Sequence, residues 1–144
     1  MENFVKSGEL YNLFDFGIEL KPEFKETFVK MVNNVLKHPF SRYFSQELTL
    51  FKGYKMTSIV GLDERTLKSV NYMENLIGDN NSVSNIKGLV VTYSKLDEEA
   101  NQKLNYQLCS LPESINCIIY GGVTLTSESN QVEFFVFQQY IDEL

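Results

Sequence analysis

The sequence predicts an α/β (α+β) two-layer sandwich, a mixed sheet of four to five strands with about three helices packed on it, in a single domain over residues 1–144. Three observations predict it. The stretch from Ile86 to Tyr140 reads as strand, helix, strand, strand with short polar joints. Its first strand holds the near-continuous apolar run Leu89-Val90-Val91, which predicts burial on both faces. Between Pro22 and His38, Phe24, Phe28, Met31, Val32, Val35 and Leu36 recur at three- and four-residue steps, the signature of a helix with one apolar stripe.

Taken in order, residues 1–20 mix acidic and aromatic side chains: Phe4, Glu9, Leu10, Tyr11, Leu13, Phe14, Asp15, Phe16 and Ile18. This segment reads as an edge strand or short helix closing the core, or as a recognition segment that docks on a partner. Pro22 suits the first turn of the helix, where a missing N–H costs nothing. His38-Pro39 ends it, because the residue before proline is pushed out of the α region. His38, the only histidine, is expected to face solvent in the last helical turn.

Phe40 to Phe44 reads as an aromatic linker, and Leu48 to Val60 as one strand or a hairpin with Gly53 as a turn or bulge. Asp63 is placed to cap a second helix whose apolar positions are Leu67, Val70, Met73, Leu76 and Ile77, with Gly78 at its end. Asp79 to Asn85 is a polar loop. After the strand at Ile86, a helix opens at Leu96-Asp97-Glu98-Glu99, its carboxylates facing the positive end of the helix dipole. Ile115 to Tyr120 reads as a strand released by Gly121-Gly122, which tolerate positive φ or a bulge. Thr124-Leu125-Thr126 favours a strand over a helix, and Val132 to Phe137 is the last strand.

Hydrophobic residues make up 43% of the 144, enough to fill one core and to argue against a disordered chain. The net charge of −6 argues against nonspecific nucleic-acid binding, which depends on Lys and Arg to displace counterions from phosphates. No apolar run approaches the roughly 20 residues that span a bilayer. Met1-Glu2-Asn3-Phe4 does not open a signal peptide, so a cytoplasmic protein is expected. Ile141-Asp142-Glu143-Leu144 is a chance likeness to an ER-retrieval signal. Cys109 and Cys117 form no C-x-x-C pair and are expected to be reduced, buried thiols.

From Met56 onward the order and spacing of elements resemble the C-terminal domain of the FtsZ/tubulin family. Met56-Thr57-Ser58-Ile59-Val60-Gly61 resembles the family's small-residue strand ending in glycine. Glu64-Arg65-Thr66-Leu67-Lys68-Ser69 resembles the next helix start, where the FtsZ branch carries Asn-Arg-Ala-Leu-Glu-Ala. Ile86-Lys87-Gly88-Leu89-Val90-Val91 is similar to its Ala-Lys-Gly-Val-Leu strand, and Leu96-Asp97-Glu98-Glu99 to its Leu-Thr-Leu-Glu-Glu helix start. Asn116-Cys117-Ile118-Ile119-Tyr120-Gly121 resembles Asn-Ile-Ile-Phe-Gly, and Val132 to Phe137 falls where the last family strand should be. Over residues 56–140 the resemblance implies a four-stranded mixed sheet with helices on one face.

The departures bear on function. The family's GTP-binding half carries a Gly-rich phosphate loop, in which glycine lets backbone N–H groups crowd the phosphates, and this chain has none. Nor does Phe40 to Gly53 match the family's Asn-x-Asp-x-x-Asp loop. The resemblance therefore implies a C-domain without either half of the GTPase site.

Other chemistry finds little footing. One histidine precludes a multi-histidine metal site and leaves little room for a Ser-His-Asp or Cys-His arrangement. Consecutive carboxylates at Asp97, Glu98 and Glu99 point around a helix rather than converging, and Glu113, Glu128 and Glu133 are scattered. No enzyme, cofactor or metal site is expected.

The expected function is a non-catalytic protein-interaction domain that binds an FtsZ/tubulin-like polymerising protein or associates with itself. Its candidate contacts are Tyr11, Phe14 and Phe16 in the aromatic segment and Asp97 and Glu98 at the acidic helix start. The alternative is an acidic immunity or inhibitor protein that neutralises a basic toxin or nuclease. A third class, an enzyme with a small-molecule site between subunits of a trimer, predicts a bound metabolite.

Overall fold

The structure, a computed structural model, describes residues 19–38, 44–51, 53–69, 86–122, 124 and 128–139. Among them the chain runs through β1 (Glu19–Leu20), α1 (Pro22–Leu36), α2 (Phe44–Leu48) and a 3-10 turn (Thr49–Phe51). It continues through β2 (Tyr54–Leu62), α3 (Glu64–Ser69), β3 (Ile86–Tyr93), α4 (Glu98–Cys109), β4 (Asn116–Gly121) and β5 (Val132–Gln139). The strands form one mixed sheet in the order β1-β2-β5-β3-β4. β1 and β2 are parallel, as are β3 and β4, and β5 runs antiparallel between β2 and β3. The chain is thus an α/β sandwich, and its last strand is the middle of the sheet.

Local chemistry accounts for the helices. Lys21 is extended and Pro22 sits in the first turn of α1, where its ring preorganises φ. Phe28, Met31, Val32 and Val35 of α1 are buried, with Phe24 and Leu36 packed at the margin of the same cluster. The side chain of Asp97 caps α4, accepting from the Ala100 N–H at 2.8 Å, and Glu98 and Glu99 fill its first turn.

Strand alternation divides the core in two. One side of the sheet presents Met56, Val90, Ile118, Tyr120, Phe135 and Phe137 to α1, α2 and the 3-10 turn. There the Phe28 ring stands edge-on to Phe135 and Phe137, at centroid distances of 6.4 and 6.1 Å. The other side presents Leu89, Val91, Val132, Phe134 and Val136 to Leu67 of α3 and to Ala100 and Leu104 of α4. The run Leu89-Val90-Val91 is buried on both sides because helices cover both. The one-face arrangement implied by the family resemblance is therefore corrected, since the apolar faces of α1 and α4 each need their own side of the sheet.

Other expectations are corrected locally. Leu48 to Phe51 is helical rather than strand, and the buried Leu48 and Phe51 side chains anchor that turn beneath the sheet. Gly53 does make the turn into β2, with φ of 81°. His38 is half-buried just past α1, its N–H donating to the Val35 carbonyl at 3.1 Å, rather than facing solvent within the last turn. The two cysteines are free but exposed: Cys109 ends α4 on its outer face, and Cys117 lies on a strand that α4 does not cover. Gly122 takes a φ of 77°, which releases the chain from β4 as expected, and Thr124 belongs to no strand. The second helix is described only to Ser69, so its positions from Val70 to Gly78 lie outside the described residues, as do the loop to Asn85, Leu125 and Thr126. No helix among the described residues is long and apolar enough to cross a membrane.

Candidate functional site

β1 to β4 run in one direction, so the ends of β2 and β3 and the start of β5 meet at one end of the sheet. In open α/β sheets ligands bind in the crevice beyond the carboxyl ends of the strands. Here Asp63 leaves β2 and caps α3, its carboxylate accepting from the Thr66 N–H and hydroxyl, each at 3.0 Å. Ser94 to Asp97 leave β3 and cross to the segment that enters β5. The Ser94 N–H donates to the Gln131 carbonyl at 2.9 Å, and the Gln131 N–H returns to Ser94 Oγ at 2.8 Å.

Asn130 completes this lacing. It holds a left-handed φ of 55°, a conformation that asparagine tolerates better than most residues. Its side-chain oxygen accepts from the Asp97 N–H at 2.8 Å, its Nδ2 donates to Asp97 Oδ2 at 3.1 Å, and its own N–H donates to the Lys95 carbonyl at 3.0 Å. Asn130 is buried, so these bonds fix the start of α4 against the entry to β5.

Beside this latch lies an open groove of about 410 Å³ lined by Asp63, Glu64, Arg65, Lys68, Glu128, Ser129 and Gln131. Lys68 bridges Glu64 at 2.8 Å within α3, and that bond, with the charges of Glu99 and Asp97 beyond it, raises the ammonium pKa. The Ala100 N–H, then the Asn130 amide and the Lys68 charge, hold the Asp97 carboxyl below its ordinary value. The Thr66 N–H and hydroxyl do the same for Asp63. The carboxylates of Asp63, Glu64, Asp97, Glu98, Glu99 and Glu128 outnumber the cations of Arg65, Lys68 and Lys95, all exposed. This end of the molecule presents fixed negative charge to solvent.

Of the residues singled out from sequence, Asp97 and Glu98 stand at this acidic end, Asp97 with both carboxylate oxygens engaged in the cap and latch and Glu98 open to solvent. Tyr11, Phe14 and Phe16 lie outside the described residues. Sequence reasoning missed that Asp63, Glu64, Lys68 and Glu128 share the groove. A helix start and a loop far apart in the chain become neighbours only through the strand order. It also missed Asn130, whose sole signal was an asparagine two residues before an apolar strand.

The remaining reactive side chains sit apart. His38 follows α1 and Cys109 ends α4, on opposite sides of the sheet. Although Cys117 is exposed, the protein around its sulfur desolvates the thiolate and pushes its pKa up to about 11, so it is a weak nucleophile. Tyr120 is buried under α2, its ring edge-on to Phe44 at 5.1 Å and its hydroxyl donating to the Glu47 carboxylate. Burial and that carboxylate raise its pKa. Among the described residues no three His, Cys, Asp or Glu side chains are placed to hold a metal ion.

No protein-family model matches the chain, and no curated protein matches it.

Proposed function

We propose that this chain is a non-catalytic protein-interaction domain that binds an FtsZ/tubulin-like polymerising protein or a second copy of itself. The observation that carries the reading is the acidic end of the sheet. Capped carboxylates at the starts of α3 and α4 stand with Glu128 on one exposed face, braced by Asn130. Such a face complements a basic protein surface and steers its approach. Support for the class of partner comes from β2, β3, β4 and β5, which occupy the segments where the family resemblance expects its mixed sheet. With no Gly-rich phosphate loop in the sequence, the domain contributes contact without turnover.

The test is co-sedimentation of the purified chain with GTP-assembled filaments of an FtsZ-class protein. The wild-type chain is expected in the pellet, and Glu98→Lys with Glu99→Lys in the supernatant. A wild-type chain that stays in the supernatant at every filament concentration overturns the polymer-binding reading.

A second reading, an acidic inhibitor of a basic toxin or nuclease, draws on the same excess of carboxylates. It predicts binding that falls steeply with added salt, because steering charges are screened over roughly 10 Å at 0.1 M.

A further inference from the structure

The two edges of the sheet are finished differently. Among the described residues β1 is two residues long, and it is followed at once by Lys21 and Pro22, while Lys55 stands opposite it on β2. A short strand, lysines and a proline are the means by which sheets blunt an edge against other strands. β4 carries none of these. It is six residues long, Asn-Cys-Ile-Ile-Tyr-Gly, and no strand among the described residues lies beyond it. No charged residue occurs from Ser114 to Ser127, in a chain of net charge −6.

The side chains reinforce the contrast. The parallel register pairs Leu89 with Cys117 and Val91 with Ile119, so all four point to the side covered by α4. Leu89 and Val91 are fully buried there, whereas α4 stops short of β4 and leaves Cys117 exposed and Ile119 46% exposed. Among the described residues the edge thus combines a main-chain ladder with no strand beyond it and an apolar, uncharged strip.

We infer that the outer edge of β4 pairs antiparallel with β4 of a second copy, joining two sheets into one. The occupant follows from the chemistry: a strand edge is completed by an extended strand, and an uncharged strip on an acidic protein gains nothing from a charged partner. A second copy supplies an uncharged strand of the same length. With the two-fold axis through Ile118, Cys117 of each copy lies opposite Ile119 of the other, on the side α4 leaves open, at the spacing where cross-strand pairs pack. The carboxylates that follow β2, Asp63 and Glu64, lie three strands from this edge. This inference rests on the self-association part of the proposed function and names its surface.

Sedimentation equilibrium on the full chain tests it, over roughly 1 to 200 µM because a single six-residue edge makes a small interface. A monomer–dimer equilibrium is expected for the wild type. Ile119→Lys is expected to be monomeric throughout with an unchanged circular dichroism spectrum, while Tyr106→Lys, on a residue of α4 that is 71% exposed, retains the dimer. If Ile119→Lys fails to fold, hydrogen exchange of the wild type decides. The β4 amides are expected to exchange about tenfold more slowly at the top of the concentration range than at the bottom. A wild type that is monomeric throughout, an Ile119→Lys dimer as strong as wild type, or β4 exchange independent of concentration overturns the inference. A monomeric wild type that still co-sediments with filaments leaves the polymer-binding reading intact.

Discussion

Gly88→Ala tests the packing that sets β3 against the turn before β2. A Cβ built at Gly88 lies 2.9 Å from two carbons of the Phe51 ring and 3.2 Å from a third. Carbon atoms pack favourably at about 3.5 Å or more, so the ring must withdraw by roughly 0.6 Å. Phe51 has nowhere to go: it is fully buried, stacked on Tyr54 at 6.0 Å and tilted against Phe137 at 4.8 Å. Overpacking of this kind costs about 1–3 kcal/mol, partly offset by about 0.5–1 kcal/mol from removing a flexible glycine in the unfolded chain. A net loss of about 1–2 kcal/mol is expected, read as a lower midpoint in urea unfolding followed by circular dichroism. Phe51→Leu removes the ring edge, so the double variant should be less destabilised than the two single losses summed, by about 1 kcal/mol. A Gly88→Ala midpoint equal to wild type, or strictly additive losses, would refute this account of the contact.

Two further predictions concern the acidic end and the buried tyrosine. Asn130→Ala removes both side-chain bonds to Asp97 and places alanine in a left-handed conformation, so a loss of about 2–3 kcal/mol is expected in urea unfolding, with Asn130→Gly about 1 kcal/mol milder. Because the Asp97 pKa is depressed by folding, its cap stabilises above the unfolded carboxyl value and is lost as pH falls through the folded one. Asp97→Ala should therefore lower the melting temperature at pH 7 and flatten its decline below about pH 4. Tyr120→Phe leaves the Glu47 carboxylate without the hydroxyl and should cost about 1–2 kcal/mol. Folding raises the Tyr120 pKa, so its contribution is complete below the unfolded value of about 10 and wanes as pH rises past it. The variant should lose that alkaline component of a pH–stability profile.

The fold was legible where one signal acted alone. Pro22 and the stripe from Phe24 to Leu36 define α1, Asp63 and Asp97 mark helix starts, and Leu89-Val90-Val91 marks a strand covered twice. It was illegible where tertiary packing overrode a local pattern. Leu48 to Phe51 has the composition of a strand, yet burial of Leu48 and Phe51 beneath the sheet holds it helical. Cys117 read as buried from its apolar run, but strand order puts β4 at an edge that α4 does not reach, which leaves Cys117 and Ile119 exposed. The candidate site was half legible: Asp97 and Glu98 could be found, while the contributions of Glu64, Lys68, Glu128 and Asn130 depend on β5 entering between β2 and β3.

The most direct test of the central claim is purification of the tagged chain from its own host, with the co-purifying proteins identified by mass spectrometry. The account predicts a GTP-binding, tubulin-like polymerising protein or untagged copies of the chain itself, bound without nucleotide turnover by the chain. Recovery of a basic nuclease or toxin-like protein, or of a chain carrying only a small metabolite, would contradict it.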